Sequence, residues 1–238
     1  MIVGLVIALP PIVLPFLFPG EDASIPWRLR YTTKANVWIF ILAWMANYFW
    51  THYFYQVLGA TYTFPAWRLN DVPFALFLIS HSYFHFYHVL SNMALRVAWR
   101  SFGGRVTFGS CVVISVLIAV MSYVVAFMET FTIQNFPYYH IPDRMAMYVY
   151  GSMFYALYFI VSFPFFLRMD EEPGTCWSLE RATIDALGAS MAITQLLDFW
   201  RIAIGPIVDL EEARKSAMKV TGKGSVIPPP HQKVPFIY

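Results

Sequence analysis

Several ionisable side chains lie at helical spacing within apolar stretches of this sequence. His81, His85, His88 and Asn92 follow one another at intervals of four, three and four residues, so they share one face of a helix. His85 and His88 could ligate a metal ion, but no carboxylate shares the stripe and no His-Glu-x-x-His pattern is present. No metal site is therefore predicted. Proton transfer and hydrogen bonding between helices are the two remaining uses, and the spacing leaves both open.

Two carboxylates lie in similar surroundings. Glu129 shares a helix face with Ser115 and Ser122, at intervals of seven residues. It could be a buried acid, or a solvated group at the end of its segment. Asp198 and Arg201 are three residues apart on another segment, so they could neutralise each other or take part in chemistry. Both carboxylates are candidates for acid–base chemistry, each with a structural alternative beside it.

A further apolar segment carries a polar stripe of its own, formed by Tyr148, Ser152, Tyr155 and Ser162. Polar groups are costly in lipid, so stripes on several helices should face one another or a water-filled cavity. The stripes together predict a polar-lined cleft inside an apolar helical bundle. That cleft is a hypothesis about the functional site.

The elements that must position these groups are apolar helices. The chain has 238 residues, of which 58% are hydrophobic and 13% are charged, and its mean hydropathy is +0.54. Soluble domains are about a quarter charged. A compact soluble fold of this size could not bury so much apolar surface, whereas a bilayer can. The composition predicts an integral membrane protein.

The predicted fold class is all-α, a polytopic transmembrane bundle of about six spans that occupies residues 1–208. Prolines interrupt the first span, which is expected to be broken or to lie partly in the interface. No basic region precedes this span, so it does not fit a signal peptide, and it is expected to be incomplete at its start. The six spans are 2–19, 36–56, 72–95, 108–128, 145–167 and 184–207.

The orientation of these spans is not fixed by the loops. Basic residues gather in loops 20–35, 96–107 and 168–183, which alternating spans would place on one side, and the positive-inside rule makes that side cytosolic. Residues 209–238 form a polar, basic tail that is expected to be disordered. The tail would then lie on the other side, so either the last segment does not cross fully or a span is miscounted.

Charge and cysteine content limit the partners. The formal net charge is +2, which is too small to indicate a nucleic-acid partner. Cys111 lies in an apolar run and Cys176 lies in a loop, so neither a disulfide framework nor a metal site is indicated. The expected partner is the lipid bilayer, and the sequence gives no prediction of oligomeric state.

Strings of unusual residues lie along most of the chain. They include Lys34-Ala35-Asn36, Asn47-Tyr48-Phe49-Trp50-Thr51-His52-Tyr53-Phe54, Val57-Leu58-Gly59-Ala60, Phe86-Tyr87-His88, Ser91-Asn92, Glu129-Thr130, Asn135-Phe136-Pro137-Tyr138-Tyr139, Ala146-Met147-Tyr148, Arg168-Met169-Asp170-Glu171, Asp185-Ala186-Leu187-Gly188-Ala189 and Leu197-Asp198. These strings resemble the cycloeucalenol cycloisomerases, sterol enzymes that open a cyclopropane ring. The resemblance extends over about residues 34–208, too far for chance agreement, whereas His85 and the basic tail lie outside the family pattern.

The resemblance implies an isomerase of sterol biosynthesis in the endoplasmic reticulum membrane. Its substrate would be cycloeucalenol, a 9β,19-cyclopropyl sterol, and its product obtusifoliol, a Δ8 sterol. A proton is added at C19, positive charge develops at C9 and a proton leaves C8, so no redox cofactor is expected. The C19 bridge and the C8 hydrogen share the β face of the sterol, so one wall of the site can hold both acid and base.

The resemblance and the polar stripes together nominate the site residues. Glu129 is the leading proton donor, because a carboxyl group in apolar surroundings favours its neutral form. The rival donor is an imidazolium at His81 or His88, paired with Glu129 or Asp198, since opening a cyclopropane requires a strong acid. Aromatic rings would shield the cation. The expected catalytic residues are Glu129, His81, His88 and Asp198, and the expected substrate-binding residues are Trp50, His52, Tyr138, Tyr148 and Asn92.

Other functions are compatible with the same residues. A non-catalytic sterol-binding or scaffold protein of the endoplasmic reticulum would keep the aromatic walls but tolerate the loss of Glu129 and of the histidines. A sterol double-bond isomerase also moves protons through a cation, and only the identity of its substrate separates it. A transporter is disfavoured, because the sequence shows no internal repeat and no paired broken helices.

Overall fold

The computed structural model describes residues 2–133, 139–171 and 175–221, and this part of the chain is mostly helical. Its main elements are seven helices of twelve or more residues and four two-residue strands. The helices are α1 (Ile2–Leu17), α2 (Tyr31–Met45), α3 (Phe74–Ser101), α4 (Phe108–Ile133), α5 (Ser152–Leu167), α6 (Leu179–Ala203) and α7 (Leu210–Thr221), and the strands are β1 (Thr61–Tyr62), β2 (Arg68–Leu69), β3 (Val72–Pro73) and β4 (Tyr139–His140). The short strands were not predicted from the sequence.

Helix α2 continues beyond Met45 through two π-helical turns, Ala46–Trp50 and Phe54–Leu58, which are separated by Thr51–Tyr53. Gly59 ends this segment at φ +63°, a left-handed conformation that favours glycine. A Cβ at Gly59 would also lie 2.8 Å from a side-chain atom of α7, so this segment and α7 approach each other closely there. π-helical turns within α-helices are frequent at functional sites.

Helix α5 is preceded by a third π-helical turn, Met147–Gly151. A π turn holds more residues than an α turn, so it changes the helix face that Tyr148 presents relative to Ser152. The stripe expected to run from Tyr148 to Ser162 is therefore broken at its start. The three later members keep their α-helical spacing within α5.

Consecutive long helices run in opposite directions, because their connecting loops meet at two ends of the bundle. At the first end, here called the basic end, Lys34 forms an ion pair with Asp170, and Arg96 pairs with Glu171 at 2.8 Å. The three basic loops share this end, as the sequence predicts. At the opposite end, here called the ribbon end, β1 pairs antiparallel with β4. Helix α6 runs from the basic end to the ribbon end, so it traverses the bundle fully.

Within the described residues, two helical stretches are long and apolar enough to cross a membrane, namely α4 and Arg144–Leu167. Helix α4 also exposes a row of apolar side chains along one face, including Val112, Val116, Val120 and Val124. Exposed apolar rows of this kind are compatible with lipid contact.

Helix α1 is continuous, so the first of the two alternatives expected for it, a break at its prolines, is wrong. Because proline has no N–H group, each proline leaves the carbonyl four residues earlier without its helical donor. Pro11 frees the carbonyl of Ile7, which accepts a hydrogen bond from the Ser82 hydroxyl at 2.8 Å. Pro15 likewise frees the carbonyl of Pro11, which accepts from the Asn36 amide at 3.1 Å. The freed carbonyls therefore attach α1 to α2 and α3.

Helix α7 lies within the tail that was expected to be disordered, so the described part of the tail differs from that expectation. Asp209 caps the helix, since its Oδ1 accepts from two first-turn N–H groups at 2.8 and 3.2 Å. Ala213 and Ala217 are buried, and Ala213 packs close to Gly59. Capping and this apolar contact explain why a polar segment folds here.

Candidate active site

Glu129 lies one turn before the end of α4 and is partly buried. Its Oε2 accepts a hydrogen bond from the Tyr155 hydroxyl of α5 at 2.8 Å. The Tyr87 hydroxyl of α3 donates a second hydrogen bond to the same carboxyl group. Three helices therefore meet at one carboxyl group, and two phenolic donors hold it in place.

Aromatic rings form a wall beside this carboxyl group. The ring of Tyr155 lies 4.9 Å from Tyr158, 5.2 Å from Phe159 and 5.4 Å from Phe54, measured between centroids. Tyr158 in turn meets Trp50 edge to face at 4.6 Å. Trp50 is fully buried, and its Nε1 donates to the Thr194 hydroxyl of α6 at 2.8 Å. The wall is therefore continuous from α4 to α6.

The β1–β4 ribbon adds two further phenols near Glu129. The Tyr139 hydroxyl donates to the Tyr62 hydroxyl at 2.6 Å, and both groups interact electrostatically with the Glu129 carboxylate. Burial is the main reason that the pKa of Tyr62 rises to about 12, and burial raises the pKa of Tyr139 well above its ordinary value. Both hydroxyls are therefore neutral at physiological pH and act as hydrogen-bonding groups.

His88 lies deep in the core, where both of its ring nitrogens are occupied. Nδ1 donates to the carbonyl of Phe84 at 2.6 Å, and Nε2 accepts from the Ser162 hydroxyl at 2.9 Å. The ring is fully buried against aromatic neighbours such as Trp38 and Phe163. His88 therefore forms a hydrogen-bonded link between α3 and α5. Of the two uses left open for the histidine stripe, this is hydrogen bonding between helices, not proton transfer.

His81 faces α2 instead of the Glu129 wall. Its Nε2 donates to Asn36 Oδ1 at 3.0 Å, and the Asn36 amide group donates to backbone carbonyls of α1 and α2, which fixes its orientation. His81 Nδ1 is buried and has no hydrogen-bond partner. The neighbouring ring of His85 lies 5.2 Å away.

Asp198 pairs with Arg201 through two hydrogen bonds of 2.9 and 2.7 Å, and both side chains are about one third exposed. The Tyr53 hydroxyl donates to the same carboxylate at 3.4 Å. This geometry fits the first of the two alternatives that the sequence left open for the pair, in which the two charges neutralise each other. The structure does not bring Asp198 into the set of contacts around Glu129.

The remaining nominated residues are dispersed. His52 is half-buried against Tyr55, with ring centroids 5.5 Å apart. Tyr148 packs on Phe127 at 5.5 Å, on a different face of α4 from Glu129. Asn92 donates to the Tyr31 hydroxyl at 3.1 Å, towards the basic end. Tyr138 lies outside the described residues. Of the nominated set, only Glu129 and Trp50 belong to one described cluster.

Two site residues were not nominated from the sequence, Tyr87 and Tyr155. Tyr155 belongs to the polar stripe of its segment, and Tyr87 stands beside His88 in one of the family strings. The polar stripe and the family string mark these two residues, but neither pattern predicts that their hydroxyl groups contact a carboxylate of another helix. No group of three His, Cys, Asp or Glu side chains in the described ranges is arranged to hold a metal ion.

The fold and site together define a helical-bundle protein in which a hydrogen-bonded carboxyl group lies against an aromatic wall. The sequence is 48% identical over 215 residues to the cycloeucalenol cycloisomerase of Arabidopsis thaliana, an alignment that covers 90% of this chain and 77% of that protein. The chain belongs to the cycloeucalenol cycloisomerase family, which confirms the resemblance. No family model matches the sequence. No solved structure matches it either.

Proposed function

We propose that this protein is a sterol isomerase that converts cycloeucalenol to obtusifoliol in the endoplasmic reticulum membrane. The observation that carries the proposal is the 48% identity to a cycloeucalenol cycloisomerase over nine tenths of the chain. The carboxyl group of Glu129, held against aromatic rings, supports it chemically. Six membrane crossings by the predicted spans complete the proposal, and the alternating direction of the helices supports them.

The reaction begins with transfer of the Glu129 proton to C19 of the sterol. The C9–C19 bond breaks, C19 becomes a methyl group on C10, and C9 carries the positive charge. A proton then leaves C8 and the C8–C9 double bond forms. Because the C19 bridge and the C8 hydrogen share one face of the sterol, the Glu129 carboxylate can accept that second proton and return to its starting state. One carboxyl group thus serves as both acid and base.

Tyr87 and Tyr155 assist the transfer of this proton. A carboxyl group in apolar surroundings is held neutral, which keeps its proton but weakens its acidity. Hydrogen bonds from two phenols stabilise the carboxylate that forms when the proton leaves. The rings of Tyr158 and Phe159 can stabilise the cation through their faces. Since these rings pack against one another, the sterol must displace some of them to reach Glu129.

Tyr155→Phe tests the hydrogen bond to Glu129. The variant keeps the aromatic ring and loses the hydroxyl, so the turnover number should fall about 10- to 100-fold, as expected for a hydrogen bond to a charged group. KM for cycloeucalenol should change little. Initial rates in isolated membranes would measure both values. Tyr123→Phe is the matched control, because the Tyr123 hydroxyl donates to a backbone carbonyl away from Glu129. Equal losses in the two variants would contradict the assigned role.

The activity itself can be tested by incubating membranes from cells that express this chain with cycloeucalenol. Gas chromatography with mass spectrometry should show obtusifoliol, and membranes from cells carrying an empty vector should not produce it. If the protein inserts and binds the sterol but forms no product, the non-catalytic sterol-binding alternative replaces the enzyme. If another Δ8 sterol forms from a different precursor, the substrate assignment changes but the reaction class stands.

A further inference from the structure

Among the residues that the structure describes, several buried polar atoms near the ribbon end have no hydrogen-bond partner. Four of them lie on segments that meet there: Nε and Nη2 of Arg214, Oγ1 of Thr61 and Nε2 of His140. Arg214 is 9% exposed and Thr61 is 3% exposed. Buried polar groups without partners are rare in folded proteins and costly, so several of them on adjoining segments point to a missing polar ligand.

The structure brings the segments that carry these atoms together. Thr61 of β1 is paired with His140 of β4, and a Cβ at Gly59 would touch Ala213, the residue before Arg214. Successive side chains of a strand point to opposite faces. Because the neighbouring residues of each strand contribute to the tyrosine pair near Glu129, Thr61 and His140 face the other way. The ribbon therefore turns the side chains of Thr61 and His140 away from the Glu129 site.

The unpartnered atoms of Arg214 have the geometry that binds an oxyanion. Nε–H and Nη2–H lie on one edge of the guanidinium group and form the fork that binds two oxygens, or one oxygen twice. The same edge of Arg201 binds the Asp198 carboxylate in this chain. The third nitrogen of Arg214, Nη1, donates to Glu211 at 2.9 Å, so one carboxylate already contacts the outer side of the group.

We propose that Arg214, Thr61 and His140 form a binding site for a phosphate-type oxyanion, supplied by a phospholipid headgroup or by free phosphate. The Arg214 fork binds two phosphate oxygens, while the Thr61 hydroxyl and the His140 ring supply further hydrogen bonds. The site lies at an end of the bundle, where crossing helices would place it at the level of lipid headgroups. Its occupant would tie α7 to the β1–β4 ribbon.

The test is ligand-dependent thermal stability of the full chain purified in a neutral detergent. Inorganic phosphate should raise the Tm of the wild-type protein in a saturable manner by about 3 °C, beyond the effect of sodium chloride at the same ionic strength. Dihexanoyl phosphatidic acid is the second probe. If it acts at much lower concentration than phosphate, the site binds a lipid headgroup; similar concentrations indicate a site for free phosphate.

Arg214→Met should abolish the rise in Tm with both probes, because it keeps the apolar stem and loses the fork. Lys215→Met is the matched control, since it removes the same charge from an exposed position of the same helix and should leave the rise intact. An equal rise in Arg214→Met and wild type would overturn the site, as would no rise with either probe. Should Arg214→Met fail to fold, Thr61→Val decides: the proposal requires about tenfold weaker phosphate binding, and unchanged binding rejects it. Because the readout is stability, it is independent of isomerase activity.

Discussion

Glu129→Gln should reduce conversion of cycloeucalenol by about 10²- to 10⁴-fold, the range that a general acid contributes. Glutamine has the shape of glutamate and can still accept the hydrogen bond from Tyr155, so the wall around residue 129 should keep its packing. Its amide group is far too weak an acid to protonate C19 and far too weak a base to take the proton from C8. Initial rates measured by gas chromatography and mass spectrometry, in membranes with equal amounts of protein, would give the size of the loss.

The control for this substitution is Glu21→Gln, which makes the same chemical change at an exposed position between α1 and α2. It should leave the rate unchanged. The rival donor is tested by His81→Gln. If that variant loses activity while Glu129→Gln keeps it, the imidazolium hypothesis from the sequence replaces the carboxyl hypothesis. Retained activity in Glu129→Gln alone is enough to remove Glu129 from the reaction.

Asp170→Asn should destabilise the folded protein strongly, because it removes the partner of a buried cation. Lys34 is fully buried, and its ammonium group pairs with Asp170 and donates to the Trp177 carbonyl at 3.2 Å. Removing the carboxylate leaves this cation without its counter-charge, which costs about 3–5 kcal/mol. Asparagine tolerates the left-handed backbone at this position, φ +56°, so the effect isolates the charge. The Tm in detergent should fall by roughly 10 °C.

Two companion variants separate the buried charge from general effects. Glu171→Gln breaks the neighbouring pair with Arg96, whose side chains are 41% and 38% exposed, and an exposed pair of this kind contributes at most about 1 kcal/mol. The double variant Lys34→Met, Asp170→Asn removes both charges and should recover part of the lost stability. If Asp170→Asn is as mild as Glu171→Gln, the ion pair does not have the stabilising role assigned to it.

Composition, hydropathy and spacing were enough to predict a protein built of apolar helices and much of its helical layout. Composition and hydropathy are sums over residues and do not depend on how the helices are arranged. They therefore predict apolar helices without any knowledge of the packing. Helical spacing likewise predicted that polar stripes would face one another, and two such contacts exist: His88 with Ser162, and Glu129 with Tyr155. The family strings identified the family without any knowledge of these contacts.

Which members of the stripes meet depends on tertiary packing, which the stripes themselves do not specify. His81, His88 and Glu129 looked alike as candidates, yet one faces α2, one is locked in the core and one meets two phenols. The partners of Lys34 and Glu129 lie 136 and 26 residues away, and their contacts depend on how each helix is rotated about its axis. π-helical turns and proline-freed carbonyls set that rotation and docking. The rotation of a helix and its docking both depend on the neighbouring helices. Periodicity within one segment therefore carries no information about them.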